Sequence, residues 1–272
     1  MQTDRARLRY PADWIRRREN RQPISVLTAY DATMARLLAR SPVDALLVGD
    51  TVGMVIQGHN STLPVTLDEI IYHCRLVRRG APEKFLIGDM PFGSYQADAT
   101  DGIRAAIRIM KETGADAVKF EGTHPDTLHC IRKLTAQGVP VMGHIGLTPQ
   151  SFLNTSGFKL QGRSDDDQRR LLSEALALQD AGCFAMVIEL CVARVAGEIT
   201  EQLSIPTIGI GAGPYTSGQV QVSNDLLGLD PDFHARHARQ FASLAQPIVD
   251  AAGAYHQAVI TREFPDKNHY FD

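Results

Sequence analysis

Short, unbroken apolar runs that end in glycine or a polar residue alternate along this chain with stretches of helical periodicity. The runs are Ser25–Ala29, Ala45–Asp50, Phe85–Asp89, Ala117–Glu121, Val139–His144, Phe184–Glu189, Ile205–Ile210 and a weaker Gln219–Val222. Apolar runs without alternation suit strands buried on both faces, the condition of a parallel sheet. Between them, Asp101–Thr113 places Ile103, Ala106, Ile107 and Met110 on one helical face, and Gly114 follows where a left-handed cap is needed. Asp165–Ala181 repeats the plan: acidic residues in the first turn, Leu171, Leu172, Ala175, Leu176 and Leu178 behind them, then Gly182. Eight strand-like runs joined by helices predict an α/β fold closed into a (β/α)8 TIM barrel, with a doubly wound open sheet as the alternative. No low-complexity linker divides residues 1–272, so they read as a single barrel domain preceded by a short N-terminal helix. In that helix Arg16–Arg18 reads as a solvated or subunit-contacting face.

Composition narrows the function classes. A chain of 272 residues can bury a large core without disulfide or zinc staples. Its formal net charge of −3 leaves no basic footprint for nucleic acid. Four scattered cysteines form no C-x-x-C pair, which argues for reduced, buried thiols rather than a zinc knuckle or a thioredoxin-type site. The first twenty residues are charged throughout, and no run approaches the ~18 apolar residues of a membrane span. A cytoplasmic protein acting on small molecules is the expectation.

The chemistry gathers where the strands end. In a parallel barrel the C-terminal strand ends converge on one face, and catalysis is found there. The ends carry Asp50, Asp89, Lys119 with Glu121, His144 and Glu189, followed by the glycine-rich Gly209–Gly213. Taken singly, each acidic residue is also what a helix N-cap requires. Together they would repel one another unless a cation sits among them, and hard carboxylate oxygens suit Mg²⁺. A single imidazole and no thiol argue against zinc. Asp50 and Asp89 on adjacent strands suit direct ligation, with Glu121 as a third or water-mediated ligand. An α-keto acid offers a matching pair of oxygens, and metal coordination would acidify its neighbouring C–H. Glu189, closing the apolar run FAMVIE, is the candidate base, and a structural pairing with Lys119 or His144 is the alternative. Gly209–Gly213 reads as a close-approach wall, and Gly53–Thr66 as either a lid or a plain surface loop.

Seven blocks carry a resemblance. VGDTVGMVIQGHNSTLPVT, IGDMPFGSY, VKFEG, GHIGLTPQS, KLQGR, VIEL and IPTIGIGAG…SGQ, in that order, resemble the ketopantoate hydroxymethyltransferase family from about Ser25 to the Phe264–His269 tail. The resemblance implies a barrel of the phosphoenolpyruvate/pyruvate type and a homo-oligomer, a decamer of two pentameric rings. It implies hydroxymethyl transfer from 5,10-methylenetetrahydrofolate to 3-methyl-2-oxobutanoate through a Mg-stabilised enolate, on the route to pantothenate and coenzyme A. Residue by residue, it makes Asp50 and Asp89 the Mg²⁺ ligands, with Glu121 completing the metal environment. Asp50, Thr51, Asp89 and Lys119 match the groups that bind the keto acid, His144 a pocket histidine, and Glu189 the proton acceptor.

The chain departs from the family pattern at Thr51 (commonly Ser), Leu190 (commonly Cys), Val192 (usually Pro) and Gly93 (frequently larger). Two other readings compete. A related Mg²⁺ barrel lyase would carry a cysteine in a mobile loop, and no such loop is evident in the sequence. A non-catalytic scaffold has no need to retain Asp50, Asp89, Lys119, Glu121 and Glu189 together.

Overall fold

A computed structural model describes residues 7–153, 157, 159–232 and 235–271. They form two compact units, 1–221 and 222–272. The expected single domain covered both; the barrel occupies the first. Its strands are β1 (Ile24–Thr28), β2 (Ala45–Val48), β3 (Phe85–Asp89), β4 (Ala117–Lys119), β5 (Val141–Gly146), β6 (Ala185–Glu189), β7 (Thr207–Ile210) and β8 (Gly218–Gln221). All neighbours pair in parallel and β8 closes on β1, so the sheet is a closed barrel and not an open one. The helices are α1 (Pro11–Glu19), α2 (Ala32–Ala39), α3 (Val52–Val55), α4 (Leu67–Gly80), α5 (Ala99–Thr113), α6 (Pro125–Ala136), α7 (Asp165–Asp180) and α8 (Ala193–Gln202). The β7–β8 connection, residues 211–217, contains turns but no helix. The second unit carries α9 (Ser223–Leu227) and α10 (Ala245–Ile260).

The unbroken apolar runs have a direct cause. Successive strand residues point alternately into the barrel and out towards the helices, and both sides are dry. Ile24, Val26, Ala45, Leu47, Phe85, Ile87 and Val187 belong to one buried cluster. Their neighbours Leu46, Val48, Leu86, Val118 and Ile188 belong to a second, shared with the helices. Proline trims two of the expected strands: pairing starts at Val141 and Thr207, after Pro140 and Pro206, which have no N–H to give to a ladder. β5 runs on to Gly146, so His144 lies inside it, while Asp50 and Glu121 stand two residues beyond β2 and β4.

Two helix faces differ from the expected ones. In α5 the buried side is Gly102, Ala105, Ala106 and Ile109, while Ile107 is exposed. Small residues set this face, because a Cβ on Gly102 would lie 2.8 Å from Tyr95 and 3.0 Å from Cys130. Gly114 does adopt the left-handed cap, with φ 69°. In α1 the arginine triplet is not one solvated face. Arg16 is exposed, but Arg17 is buried and pairs with Asp44 at 3.3 Å, and Arg18 donates to the Thr200 and Leu203 carbonyls. Trp14 is fully buried and meets Phe85 and Phe184 edge-on at 5.3 and 5.5 Å, which plugs the N-terminal mouth of the barrel. All four cysteines are free and buried.

Candidate active site

The C-terminal mouth brings Asp89, Lys119, Glu121, His144 and Glu189 into one connected group, with Asp50 and Thr51 beside it. Lys119, last in β4, donates to both oxygens of Asp89, last in β3, at 2.6 and 2.7 Å. Its ammonium also stands 3.7 Å from Glu121 Oε1. The backbone N–H of Asp50 donates to Asp89 Oδ2 at 3.2 Å, tying the ends of β2 and β3 together. Glu121 Oε1 lies 3.2 Å from His144 Nδ1, and His144 Nε2 lies 3.2 Å from Glu189 Oε2. These two are ion-pair contacts off the line of a hydrogen bond, so Glu121 Oε1 and both ring nitrogens are buried without an aligned partner. Thr51 shares a 2.7 Å hydroxyl contact with buried Tyr30.

Local structure explains these positions. Gly146 adopts φ 93°, and a Cβ there would sit 2.1 Å from the Glu189 carbonyl oxygen, so only glycine lets the end of β5 pass this close to Glu189. Leu190 turns the chain immediately afterwards with φ 47°, a left-handed conformation that costs a branched side chain about 1–3 kcal/mol. The Glu189 side chain keeps 17% of its surface accessible, against 2–3% for Asp89, Glu121 and His144. The base candidate therefore stands at the rim, more accessible than the groups behind it.

Burial and charge set the protonation states. Burial, reinforced by Asp89 and Glu121, drives the Asp50 carboxyl well above the ordinary carboxylate range. Burial also raises Asp89, although Lys119 works against it. For Lys119 burial alone would favour the neutral amine, but Asp89, Glu121 and Asp50 together hold the ammonium above its usual value. Burial likewise opposes a charge on Glu121, yet His144 and Lys119 keep that carboxyl below its ordinary value. His144 overcomes its own burial through Glu121 and Glu189 and is pushed up to about 9, so it carries a proton at neutral pH.

This charge balance fits a divalent cation. Lys119 pairs with Asp89, and Lys119 and protonated His144 flank Glu121, whereas Asp50 has no ion-pair partner among the described residues. Among the described residues no three His, Cys, Asp or Glu side chains converge tightly enough to enclose a metal. Mg²⁺ needs no such enclosure, because one or two carboxylates with water and substrate oxygens satisfy it. Asp50 and Asp89 are tied together at the ends of β2 and β3, while Glu121 is turned towards Lys119 and His144.

Residues 11–267 match the ketopantoate hydroxymethyltransferase family. The chain belongs to this family. A 3-methyl-2-oxobutanoate hydroxymethyltransferase from Leptospira biflexa is 49% identical over 250 residues, covering 92% of this chain and 93% of that one. Ketopantoate hydroxymethyltransferases are transferases, and here the family's barrel closes with eight parallel strands. Solved structures share the fold at low identity. Phosphoenolpyruvate phosphomutase from Streptomyces platensis superposes with TM-score 0.63 at 12% identity over 93% of this chain and 88% of that one. Phosphonopyruvate hydrolase, solved with oxalate and Mg²⁺, superposes with TM-score 0.59 at 12% identity over 96% and 93%.

Sequence reasoning missed the polar residues that hold the carboxylates. Gln150, in a short 3-10 turn after β5, donates to Asp50 Oδ2 at 3.0 Å and through its backbone N–H to Glu121 Oε2 at 3.2 Å. Tyr95, in the loop after β3, donates to Gln150 Oε1 at 2.8 Å. Their only signal in the sequence is their place in the rim loops, within DMPFGSY and GLTPQS. The segment Gly53–Thr66, expected as a lid or a surface loop, includes the last three residues of α3 and buries Thr62 and Val65.

Proposed function

We propose that this protein transfers a hydroxymethyl group from 5,10-methylenetetrahydrofolate to 3-methyl-2-oxobutanoate, giving ketopantoate for pantothenate and coenzyme A synthesis. The observation that carries the reading is the rim cluster itself: buried carboxylates gathered around Lys119 and His144, continuing to the partly accessible rim position of Glu189. Asp50 and Asp89 would hold Mg²⁺, with Glu121 completing its surroundings. When bound, Mg²⁺ supplies Lewis-acid polarisation of a 2-keto acid and makes the adjacent C–H easier to ionise.

The remaining steps fall to the chain's own groups. Glu189 removes the C3 proton of the keto acid, and protonated His144, 3.2 Å away, holds that side chain in place until the substrate arrives. Lys119 places a fixed positive charge where the enolate develops, already oriented by Asp89. Thr51, braced by the Tyr30 hydroxyl, offers an O–H beside Asp50 for the substrate carboxylate. Bringing a tertiary carbanion onto the folate methylene carbon is chiefly a matter of positioning, which a rigid rim serves; water supplies the hydroxyl and tetrahydrofolate leaves. The lyase reading loses support from the cysteines, since all four are buried and none stands on an exposed loop.

The test is product analysis with methylenetetrahydrofolate and 3-methyl-2-oxobutanoate, with and without a chelator. Ketopantoate should form with Mg²⁺ and stop on chelation. No ketopantoate from metal-replete protein, or undiminished turnover in excess chelator, overturns the reading.

A further inference from the structure

Gln150 lies 100 residues from Asp50 in sequence, is 6% exposed, and has every polar atom of its side chain engaged. Its amide nitrogen donates to Asp50 Oδ2 at 3.0 Å and to the Met90 carbonyl at 2.9 Å. Its amide oxygen accepts from the Tyr95 hydroxyl at 2.8 Å and from Gln96 Nε2 at 2.9 Å. Its backbone N–H reaches Glu121 Oε2 at 3.2 Å. Two acceptors on one side and two donors on the other allow a single orientation of the amide. Turning it over would set its oxygen against a carboxylate and a carbonyl, and its nitrogen against an amide nitrogen.

We propose that Gln150 is the positioning residue of the rim, holding the Asp50 and Glu121 carboxylates in the arrangement that receives the cation and the keto acid. The role rests on the reading that Asp50 is a ligand. Asp50 stands among like charges that push it away from Asp89 and Glu121, and Lys119 is committed to Asp89. Gln150 supplies an uncharged restraint that opposes this repulsion without spending a cation. One amide nitrogen thereby ties Asp50 Oδ2 to the Met90 carbonyl just after β3. Tyr95 fixes the restraint in turn, since its hydroxyl also receives the Glu121 N–H at 3.3 Å. Outer residues that orient metal ligands commonly change affinity or activity by about 10–100-fold when replaced.

The experiment uses the full-length protein with Mn²⁺ as the probe, read by electron paramagnetic resonance without substrates. Thermal melting and proton-exchange kinetics with the keto acid accompany it. Gln150→Met keeps the length of the side chain and removes both donors. It is expected to fold, to bind Mn²⁺ about 10–100-fold more weakly, and to raise the KM for the keto acid together with a fall in kcat. Tyr95→Phe removes one bond to the amide and should weaken Mn²⁺ by about 2–10-fold, the worth of one hydrogen bond. A merely structural role would lower the melting temperature and leave Mn²⁺ affinity and KM at wild-type values, and that result overturns the proposal. Should Gln150→Met fail to fold, Tyr95→Phe decides: unchanged affinity overturns the proposal, weakened affinity supports it. If Mn²⁺ does not bind the wild-type protein, the ligand reading and the Gln150 role fall together. If Mn²⁺ binds normally in folded Gln150→Met, only the Gln150 role falls.

Discussion

Replacing Lys119 with methionine removes the ammonium while keeping a side chain of similar length. The structure sets the size of the effect. Lys119 is 4% exposed and both of its 2.6–2.7 Å contacts go to one carboxylate that is 1% exposed. Breaking a buried pair by deleting one partner costs about 3–5 kcal/mol, because the other charge stays behind in a poorly solvated site. With an unfolding entropy of about 2.1 cal/mol/K per residue, a chain of 272 residues loses about 5–9 °C of Tm for that cost. The pH dependence follows from the raised carboxyls. Asp50 and Asp89 sit above their ordinary values when folded, so their contribution is favourable at acid pH and is lost as pH rises through those elevated values. Without Lys119 both move further up, so the deficit should be largest at neutral pH and shrink towards pH 5. The assay is calorimetric melting of metal-free protein at fixed concentration, at pH 5 and pH 7.5. A variant melting within about 1 °C of wild type at pH 7.5, or showing the same deficit at both pH values, would refute the view that Lys119 neutralises buried carboxylates.

Three further outcomes are expected. In D₂O with Mg²⁺ and no folate, wild-type protein should exchange the C3 proton of 3-methyl-2-oxobutanoate, and Glu189→Gln should slow exchange by about 10²–10⁴-fold; proton NMR reads it, and undiminished exchange removes Glu189 as the base. Trp14→Ala should cost about 3–5 kcal/mol in urea denaturation while leaving the KM for the keto acid unchanged, because Trp14 plugs the opposite mouth of the barrel. His144 is raised from 6.5 to about 9, so its stabilisation is complete below 6.5 and lost as pH climbs through 9. That loss is about 3 kcal/mol in metal-free protein, and denaturation of His144→Gln between pH 6 and 10 should lack it.

Much of the site is legible before folding because a parallel barrel sends every strand's C-terminal end to one mouth. A run of apolar residues closed by Asp89 or Glu189 therefore names both an element and a place on the rim. Pro140 and Pro206 moved two strand starts by local chemistry alone, and Gly114 capped its helix as its type requires. Tertiary structure decided the partners. Nothing local shows that Lys119 turns to Asp89, that His144 stands between Glu121 and Glu189, or that Arg17 leaves a basic triplet to pair with Asp44. The buried face of α5 was set by Gly102 and Ala105, residues whose small size registers as close approach only once Tyr95 and Cys130 are beside them.

Gln150 is the clearest case. Its amide has no charge and no period, and its importance lies in Asp50, 100 residues away, and Tyr95, 55 residues away. Residue types and strand order determine which groups reach the mouth of this barrel. Packing across the rim determines which of them touch, and so where each proton and each charge resides, because electrostatic energies in a buried site depend on separations of a few ångströms that no pattern along the chain encodes.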